Sequence, residues 1–444
     1  MALFTNWLCG PLGAGALLLT GIILSLRLRF VQIRQLPRAL RNMFLSDKDA
    51  SGQGTISPMQ AICTALGGTM GTGNIAGVAG AMALGGPGAV LWMWIAGFFG
   101  MATKYLEIAL AVRYRRRNAR GEWVGGPMYY MEACGKGGRY AARIFCICAL
   151  LASLGVGNAA QVNVLSGSIC TLARSFGWGM DEFTLRIVSG AVLSALIAFM
   201  ALGGMRRIAR AAERLLPFVS VVYVLCMLAV IVTNAQRILP AFRLIVTSAF
   251  SPRAALGGAA GITLRATVSS GVTRGVFTNE AGMGSSAMAH AAAHGAAPHT
   301  QGLWGLVEVF IDTFVVCSLT ALGILCSGCA VPYGSVAGAE LITQAMATVF
   351  NARTSALLIT LSLLCFALST LMTWSFYGMR CMEYLLHGKG IKIYLTVFSL
   401  LALPFSVMET ADMWEMTEVF TVLMALCNLP FLLRMSGRKM KKGG

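Results

Sequence analysis

Residues 67–88, GGTMGTGNIAGVAGAMALGGPG, hold nine glycines, and they lie between two apolar runs, ISPMQAICTAL and AVLWMWIAGFFGMA. Glycine costs backbone entropy and gives a helix no side chain to pack. In hydrocarbon a helix break also leaves N–H and C=O groups unpaired, so it is tolerated only where protein surrounds it or it lines a cavity. Two half-helices meeting at such a break form a ligand site. One N-terminal end presents N–H donors, and the freed carbonyls can hold a cation. The competing use of the glycines is close helix packing, for which Gly73 and Gly77 have the spacing. A second interruption, residues 271–286 (GVTRGVFTNEAGMGSS), also cuts an apolar segment. Paired interruptions in two halves of a chain point to a carrier built from inverted repeats.

The rest of the chain fits a membrane solvent. Of 444 residues, 57% are hydrophobic and 12% charged, with mean hydropathy +0.72. At ~20 apolar residues per crossing, this predicts one polytopic domain in a lipid bilayer, not two or three soluble ones. The net charge of +18 would suit nucleic acid, but it gathers in particular loops, as in membrane proteins. No nucleic-acid partner is expected. The thirteen cysteines are scattered through apolar segments, where the residue acts as a small hydrophobe. Cys326 and Cys329 form a CxxC with no second pair to make a zinc site.

Read in order, the pattern predicts a first crossing within residues 1–26, without the basic start or cleavage site of a signal peptide. A broken helix follows at 56–84, then crossings at 88–113 and about 142–172, 184–203 and 213–234. A second broken helix is expected at 256–288, then crossings at about 301–326, 354–385, 391–408 and 412–433. This is an all-α polytopic membrane protein with about 11 TM helices, one leader and two sets of five. Its divisions are 1–55, an N-terminal span and basic loop; 56–235, a first repeat broken at 67–76; 236–433, a second repeat broken at 271–284; and 434–444, a basic tail. Loops 27–55, 113–143, 206–214 and 380–392 and the tail carry 26 of the 35 Lys and Arg. That side is expected to be cytoplasmic, with the N-terminus outside and the C-terminus inside.

Several long motifs together resemble the alanine or glycine:cation symporter family (sodium:alanine symporter) of the amino acid-polyamine-organocation superfamily. They are GTMGTGNIAGVAGAMALGGPGAVLWMWIAGFFGMATKYLEIALAVRYR, GGPMYYME, GVTRGVFTNEAGMGSSAMAHAAA, QGLWGLVEVFIDTFVVC and CFALSTLMTWSFYG. The resemblance spans about residues 55–430. It implies a leucine-transporter-like 5+5 inverted repeat with two broken helices after one extra N-terminal span. It also implies sodium-coupled symport of small neutral amino acids, alanine or glycine, by alternating access across a bacterial-type plasma (inner) membrane. Sodium would serve as coupling ion, with no other cofactor. The chain departs from the family pattern at Val162 and Val164, beside Gln161 and Asn163, and at Thr373 before Trp374; these bear on substrate preference.

A zwitterionic substrate needs donors for its carboxylate and acceptors for its ammonium. The break at Thr72, Gly73 and Asn74 can offer N–H groups with help from the half-helix dipole. The segment Gly275, Val276 and Phe277 is expected to offer carbonyls. Gln161 is costly in an apolar span unless paired; the resemblance implies that it reaches the substrate, whereas Gln also serves as an interhelical hydrogen-bonding residue. Thr370 and Trp374 are four apart on one helical face. The resemblance places them on the pocket, with Trp374 and Phe277 limiting its size; the alternative for both aromatics is core packing. A sodium ion takes oxygen ligands, and Thr69, Ser369 and Thr370 are the candidates.

Ionisable groups inside spans are functional candidates. Glu308 and Asp312 are four apart and are read as sharing a face, able to bind a cation or carry a proton. Glu280 and Arg274 are read as a pair across the second break, and Lys104 and Glu107 as a structural pair. His290 and His294 have i, i+4 spacing, with His299 nearby, but no carboxylate or Cys at ligand spacing accompanies them. The alternatives to sodium symport are a proton-coupled carrier of the same substrates, a channel or a membrane enzyme. An enzyme would need a nucleophile–base or metal constellation, and none is recognisable in the spacing.

Overall fold

A computed structural model describes residues 8–45, 56–201, 204–251, 262–335 and 337–437. The expectations for the N-terminal seven residues, for residues 46–55 and 252–261 and for most of the basic tail lie outside the described residues.

Helices dominate. In chain order they begin with α1 (Gly13–Arg27), α2 (Val31–Leu45), α3 (Pro58–Thr69), α4 (Val78–Gly85) and α5 (Ala89–Arg113). A two-stranded hairpin follows, β1 (Arg116–Arg117) and β2 (Trp123–Val124), then α6 (Pro127–Glu132), α7 (Lys136–Leu154), α8 (Ala160–Phe176), α9 (Glu182–Ala201), α10 (Gly204–Thr233) and α11 (Ile238–Phe250). The second half holds α12 (Leu264–Asn279), α13 (Ala287–Ala291), α14 (Pro298–Val309), α15 (Ser318–Ser327), α16 (Ala339–Ala347), α17 (Ala352–Leu386), α18 (Ile391–Leu400), α19 (Ala402–Val407) and α20 (Thr410–Ser436). Among the described residues, eight helical stretches are long and apolar enough to cross a membrane. Three crossings complete the expected eleven: α3 with α4, α12 with α13, and the short apolar Ile391–Val407. The first two are discontinuous, each made of two shorter helices. The basic segment expected as a loop holds a helix, α2, and a further helix, α11, lies in the segment with Pro240.

Local chemistry fixes the first broken helix. Ser57 caps α3 through a capping box: Gln60 N–H donates to Ser57 Oγ (3.0 Å) and Ser57 N–H donates to Gln60 Oε1 (3.1 Å), with Pro58 in the first turn. Helical geometry ends at Met70, whose ψ is 87°. The chain restarts as a π-helical turn, Gly73–Gly77, that runs into α4. Three other crossings carry π segments among the described residues: Leu8–Leu12 ahead of α1, Gly155–Ala159 between α7 and α8, and Phe310–Cys317 between α14 and α15. Such wide turns recur at functional sites.

The two broken helices face each other inside the bundle, since α12 packs on α4 and on the Gly73–Gly77 turn. α5 runs beside α12 and α14, while α17 lies along α3, α7, α8 and α10. Its 35 residues span about 52 Å at 1.5 Å per residue, longer than the ~30 Å hydrocarbon core. α17 comes this close because α3 presents glycine to it. A Cβ on Gly67 would collide with Ser369 Oγ, and one on Gly68 would stand 2.9 Å from Thr373 Cγ2. Outer helices α9 and α10 expose Val192, Phe199, Phe218 and Leu225, side chains suited to lipid.

Candidate functional site

The first break has its backbone donors covered by side chains. Gly71 N–H donates to Asn74 Oδ1 (3.1 Å) and Thr72 N–H to Gln161 Oε1 (3.1 Å). Gln161 Nε2 in turn donates to the Val156 carbonyl in the π segment (3.0 Å). Thr370 Oγ1 donates to the Gly67 carbonyl (2.9 Å), and Thr373 Oγ1 to that of Thr64 (3.1 Å). A Cβ on Gly71 would be 2.7 Å from Thr370 Oγ1 and 2.9 Å from Gln161 Oε1. Thr72, Gly73, Asn74, Gln161 and Thr370 are therefore gathered as the sequence suggests, and all are buried. The Thr72 N–H, expected to face a substrate carboxylate, is held by Gln161 in this conformation, which is also the interhelical pairing expected of a buried Gln.

The second break lies further along than expected. Gly275, Val276 and Phe277 belong to the last turns of α12, not to the break. The Gly275 carbonyl accepts from Thr278 Oγ1 (2.8 Å) and that of Val276 from Glu280 N–H (2.8 Å). Unwinding occurs at residues 280–286, where Glu280, Gly282 and Gly284 have positive φ (54°, 96° and 75°). The earlier glycines serve packing instead. A Cβ on Gly271 would strike the Ala89 carbonyl, and one on Gly275 would be 3.3 Å from Met93 Cα, both on α5.

Phe277 nonetheless reaches the first break. A Cβ on Gly73 would be 2.8 Å from its Cε1. Its ring meets Trp414 of α20 edge-on at 5.2 Å, and the Arg274 guanidinium lies 3.8 Å from the Trp414 ring centroid. Trp374 is fully buried against Gly157, and its Nε1–H donates to Glu280 Oε1 (2.9 Å). It thus ties α17 to the second break. Gly77 is not a close packing point, because the nearest atom to its Cβ position is Trp414 Cη2 at 3.8 Å.

The buried charges pair differently from their sequence spacing. Asn74 Nδ2 donates to Asp312 Oδ1 (2.7 Å), and Thr313 Oγ1 both donates to Asp312 Oδ2 (3.1 Å) and accepts from Asn279 Nδ2 (3.0 Å). Asp312 therefore links the first break to the end of α12. Glu308 instead pairs with Lys104 (2.9 Å) and faces His290 (3.4 Å). The two carboxylates part company because Glu308 lies in α14 and Asp312 in the π segment, where i, i+4 spacing no longer marks one face. Lys104 does not pair with Glu107, which accepts from Asn428 Nδ2 (2.7 Å). Arg274 pairs with Glu418 (2.9 Å) rather than Glu280, whose second oxygen accepts from Ser285. His290 hydrogen-bonds Gln301 (2.7 Å) and His299 Tyr105 (2.7 Å). Among the described residues no group of three or more His, Cys, Asp or Glu is placed to hold a metal ion, and all thirteen cysteines are free thiols.

Of the expected sodium ligands, Thr69 Oγ1 turns back to the Leu66 carbonyl (3.2 Å) and Thr370 is engaged with Gly67. Ser369 Oγ and Thr72 Oγ1 are buried without a hydrogen-bond partner. Such an oxygen is costly unless something fills its coordination, so the donor set at Ser369 fits a hard cation. The residues that sequence reasoning missed are Trp414, Asn279, Thr278 and Asp312 as partner of Asn74; no local spacing marks them.

An all-helical frame of two five-crossing sets, each opened by a broken helix, with a buried polar site between the breaks, defines a secondary transporter. The chain matches the sodium:alanine symporter family over residues 1–442 and belongs to it. It is 40% identical over 412 residues to an uncharacterized transporter of Haemophilus influenzae, covering 92% of this chain and 87% of that one. It is 39% identical over 440 residues to the sodium/alanine symporter AgcS of Methanococcus maripaludis, covering 97% and 93%. Among solved structures, MhsT in complex with L-phenylalanine superposes with TM-score 0.63 at 16% identity, over 84% of this chain and 88% of that one, which shows a shared fold. The protein is a multi-pass membrane transporter of a cation-coupled amino-acid symporter family, not an enzyme.

Proposed function

We propose that the protein carries alanine, glycine or a similarly small neutral amino acid inward with sodium, binding it between the two breaks. The observation that carries this reading is the approach of Phe277 to Gly73, 2.8 Å from where a Cβ would stand. The ring stands beside the first break, where on this reading it limits the side chain admitted. The substrate carboxylate takes the N–H groups near Thr72 and Gly73, with the Gln161 amide turning to join it. The carbonyl end of α12, at Gly275, Val276 and Phe277, receives the ammonium, and Thr370 and Trp374 close the α17 side. Sodium binds at Ser369 with carbonyls near Thr69 and with Thr370. AgcS, named for sodium and alanine, supports the substrate and the ion.

The basic loops face the cytoplasm, the N-terminus lies outside, and the membrane is a bacterial-type plasma membrane. The repeats divide at 56–235 and 236–433. Alternating access follows from rocking the broken helices against α5, α8 and α17.

Uptake into proteoliposomes tests the reading, with labelled amino acids and with sodium and proton gradients imposed separately. Alanine or glycine should accumulate only with an inward sodium gradient. Equal accumulation with choline in place of sodium, at fixed pH and potential, contradicts it; accumulation that follows the proton gradient alone makes the carrier proton-coupled.

A further inference from the structure

On the side where α5 ends, α7 begins and α17 ends, a cavity of about 600 Å3 opens. Because three crossings terminate there, the cavity lies at a membrane boundary. Four arginines line it, Arg116 and Arg117 from the hairpin and Arg139 and Arg143 from α7, against two carboxylates, Glu132 and Glu383. Glu383 is already neutralised from outside the cavity by Arg380 (2.6 Å). Glu132 is shared between Arg116 (3.3 Å) and Arg139 (3.6 Å). The Arg117 guanidinium lies over the Trp123 ring at 5.0 Å. Arg143 is exposed and has no ion pair or hydrogen bond among the described residues. With Arg116 and Arg139 sharing one carboxylate and Arg143 pairing with none, the cavity keeps an excess of positive charge.

The adjoining surface says what kind of anion fits. From Arg139 and Arg143, α7 continues with Tyr140, Ile144, Ile147 and Leu151, all exposed. An apolar stripe on a membrane crossing faces acyl chains, so the guanidinium groups stand where headgroups begin. A ligand here meets cationic hydrogen-bond donors at one end and hydrocarbon at the other. Guanidinium forks match phosphate oxygens in geometry as well as charge.

We propose that this cavity binds the phosphate headgroup of an anionic phospholipid, with its acyl chains along the exposed face of α7. The headgroup bridges the hairpin and α7 beside the end of α17. These elements flank α6, whose Pro127 packs against Gly284 in the second break and whose Tyr130 donates to Asn428. Lipid binding therefore braces the surroundings of the second break. The inference needs only the membrane fold and stands whether or not alanine is the substrate.

The test measures the thermal midpoint of the purified full-length protein in neutral detergent, with added phosphatidylglycerol, phosphatidylcholine, inorganic phosphate or glycerol 3-phosphate. Phosphatidylglycerol should raise the midpoint of wild type, and phosphatidylcholine and the two soluble anions should not. Arg139→Gln/Arg143→Gln should lose more than half of that shift, and Arg143→Lys should keep it. Arg120→Gln/Lys389→Gln, which removes as much charge outside the cavity, should also keep it. If the double variant cannot be purified, Arg143→Gln alone carries the test, because Arg143 has no protein partner to lose. A wild-type shift retained in the cavity variants overturns the site. A shift reproduced by phosphate or glycerol 3-phosphate, and lost in those variants, overturns the lipid as its occupant.

Discussion

A Cβ on Gly73 would stand 2.8 Å from Phe277 Cε1 and 3.2 Å from Thr278 Cγ2, so any side chain there pushes the two broken helices apart. Gly73→Val is expected to cost about 1–3 kcal/mol by overpacking and to abolish alanine-dependent thermal stabilisation, while the apolar helices that drive insertion are unchanged. Gly77→Ala should be neutral or stabilising by up to about 1 kcal/mol, because the nearest neighbour to its Cβ position is 3.8 Å away. The same measurement on both variants checks the pair; a stabilising response to alanine retained in Gly73→Val removes the break from the substrate site. Trp374 gives a second contrast. Trp374→Phe keeps a large ring but leaves Glu280 Oε1 without its donor. It should lower stability by about 1–3 kcal/mol, read as the thermal midpoint. An unchanged midpoint would mean that this hydrogen bond does not hold α17 to the second break.

At the scale of elements, the first break was legible because glycine density and unwinding coincide there, with Ser57 and Gln60 fixing where α3 starts. The second was displaced. In residues 271–286 glycines serve two purposes that look alike in sequence: Gly271 and Gly275 admit α5, whereas Gly282 and Gly284 take positive φ. The partners of Asp312 and Glu308 were illegible for a related reason, since the π segment Phe310–Cys317 changes the phase between them. Long-range pairings such as Lys104 with Glu308 and Arg274 with Glu418 depend on how crossings pack, which local spacing does not encode. Lys104 and Glu308 are both fully buried, and removing one partner strands the other. Lys104→Met should destabilise by about 3–5 kcal/mol, and Lys104→Met/Glu308→Leu should recover most of that. Thermal midpoints across this double-mutant cycle check it; additive losses would mean that the pair does not hold α5 to α14.

At the scale of the whole molecule, the proposal is that two breaks, brought together by a five-plus-five frame, form one site for a small amino acid and sodium. If so, the ligands are linked, and each tightens the binding of the other by the same factor. The crossings and their number were legible because each must bury its own backbone hydrogen bonds in lipid; the coupling was not, because it is a property of the assembled site. The most direct measurement is equilibrium binding of labelled alanine to the purified protein at a series of sodium concentrations, with choline keeping ionic strength constant, beside sodium binding at a series of alanine concentrations. Sodium should lower the alanine Kd at least fivefold, the low end of typical coupling, alanine should lower the sodium Kd by the same factor, and Gly73→Val should show neither effect. An alanine Kd that is the same in sodium and in choline would contradict it.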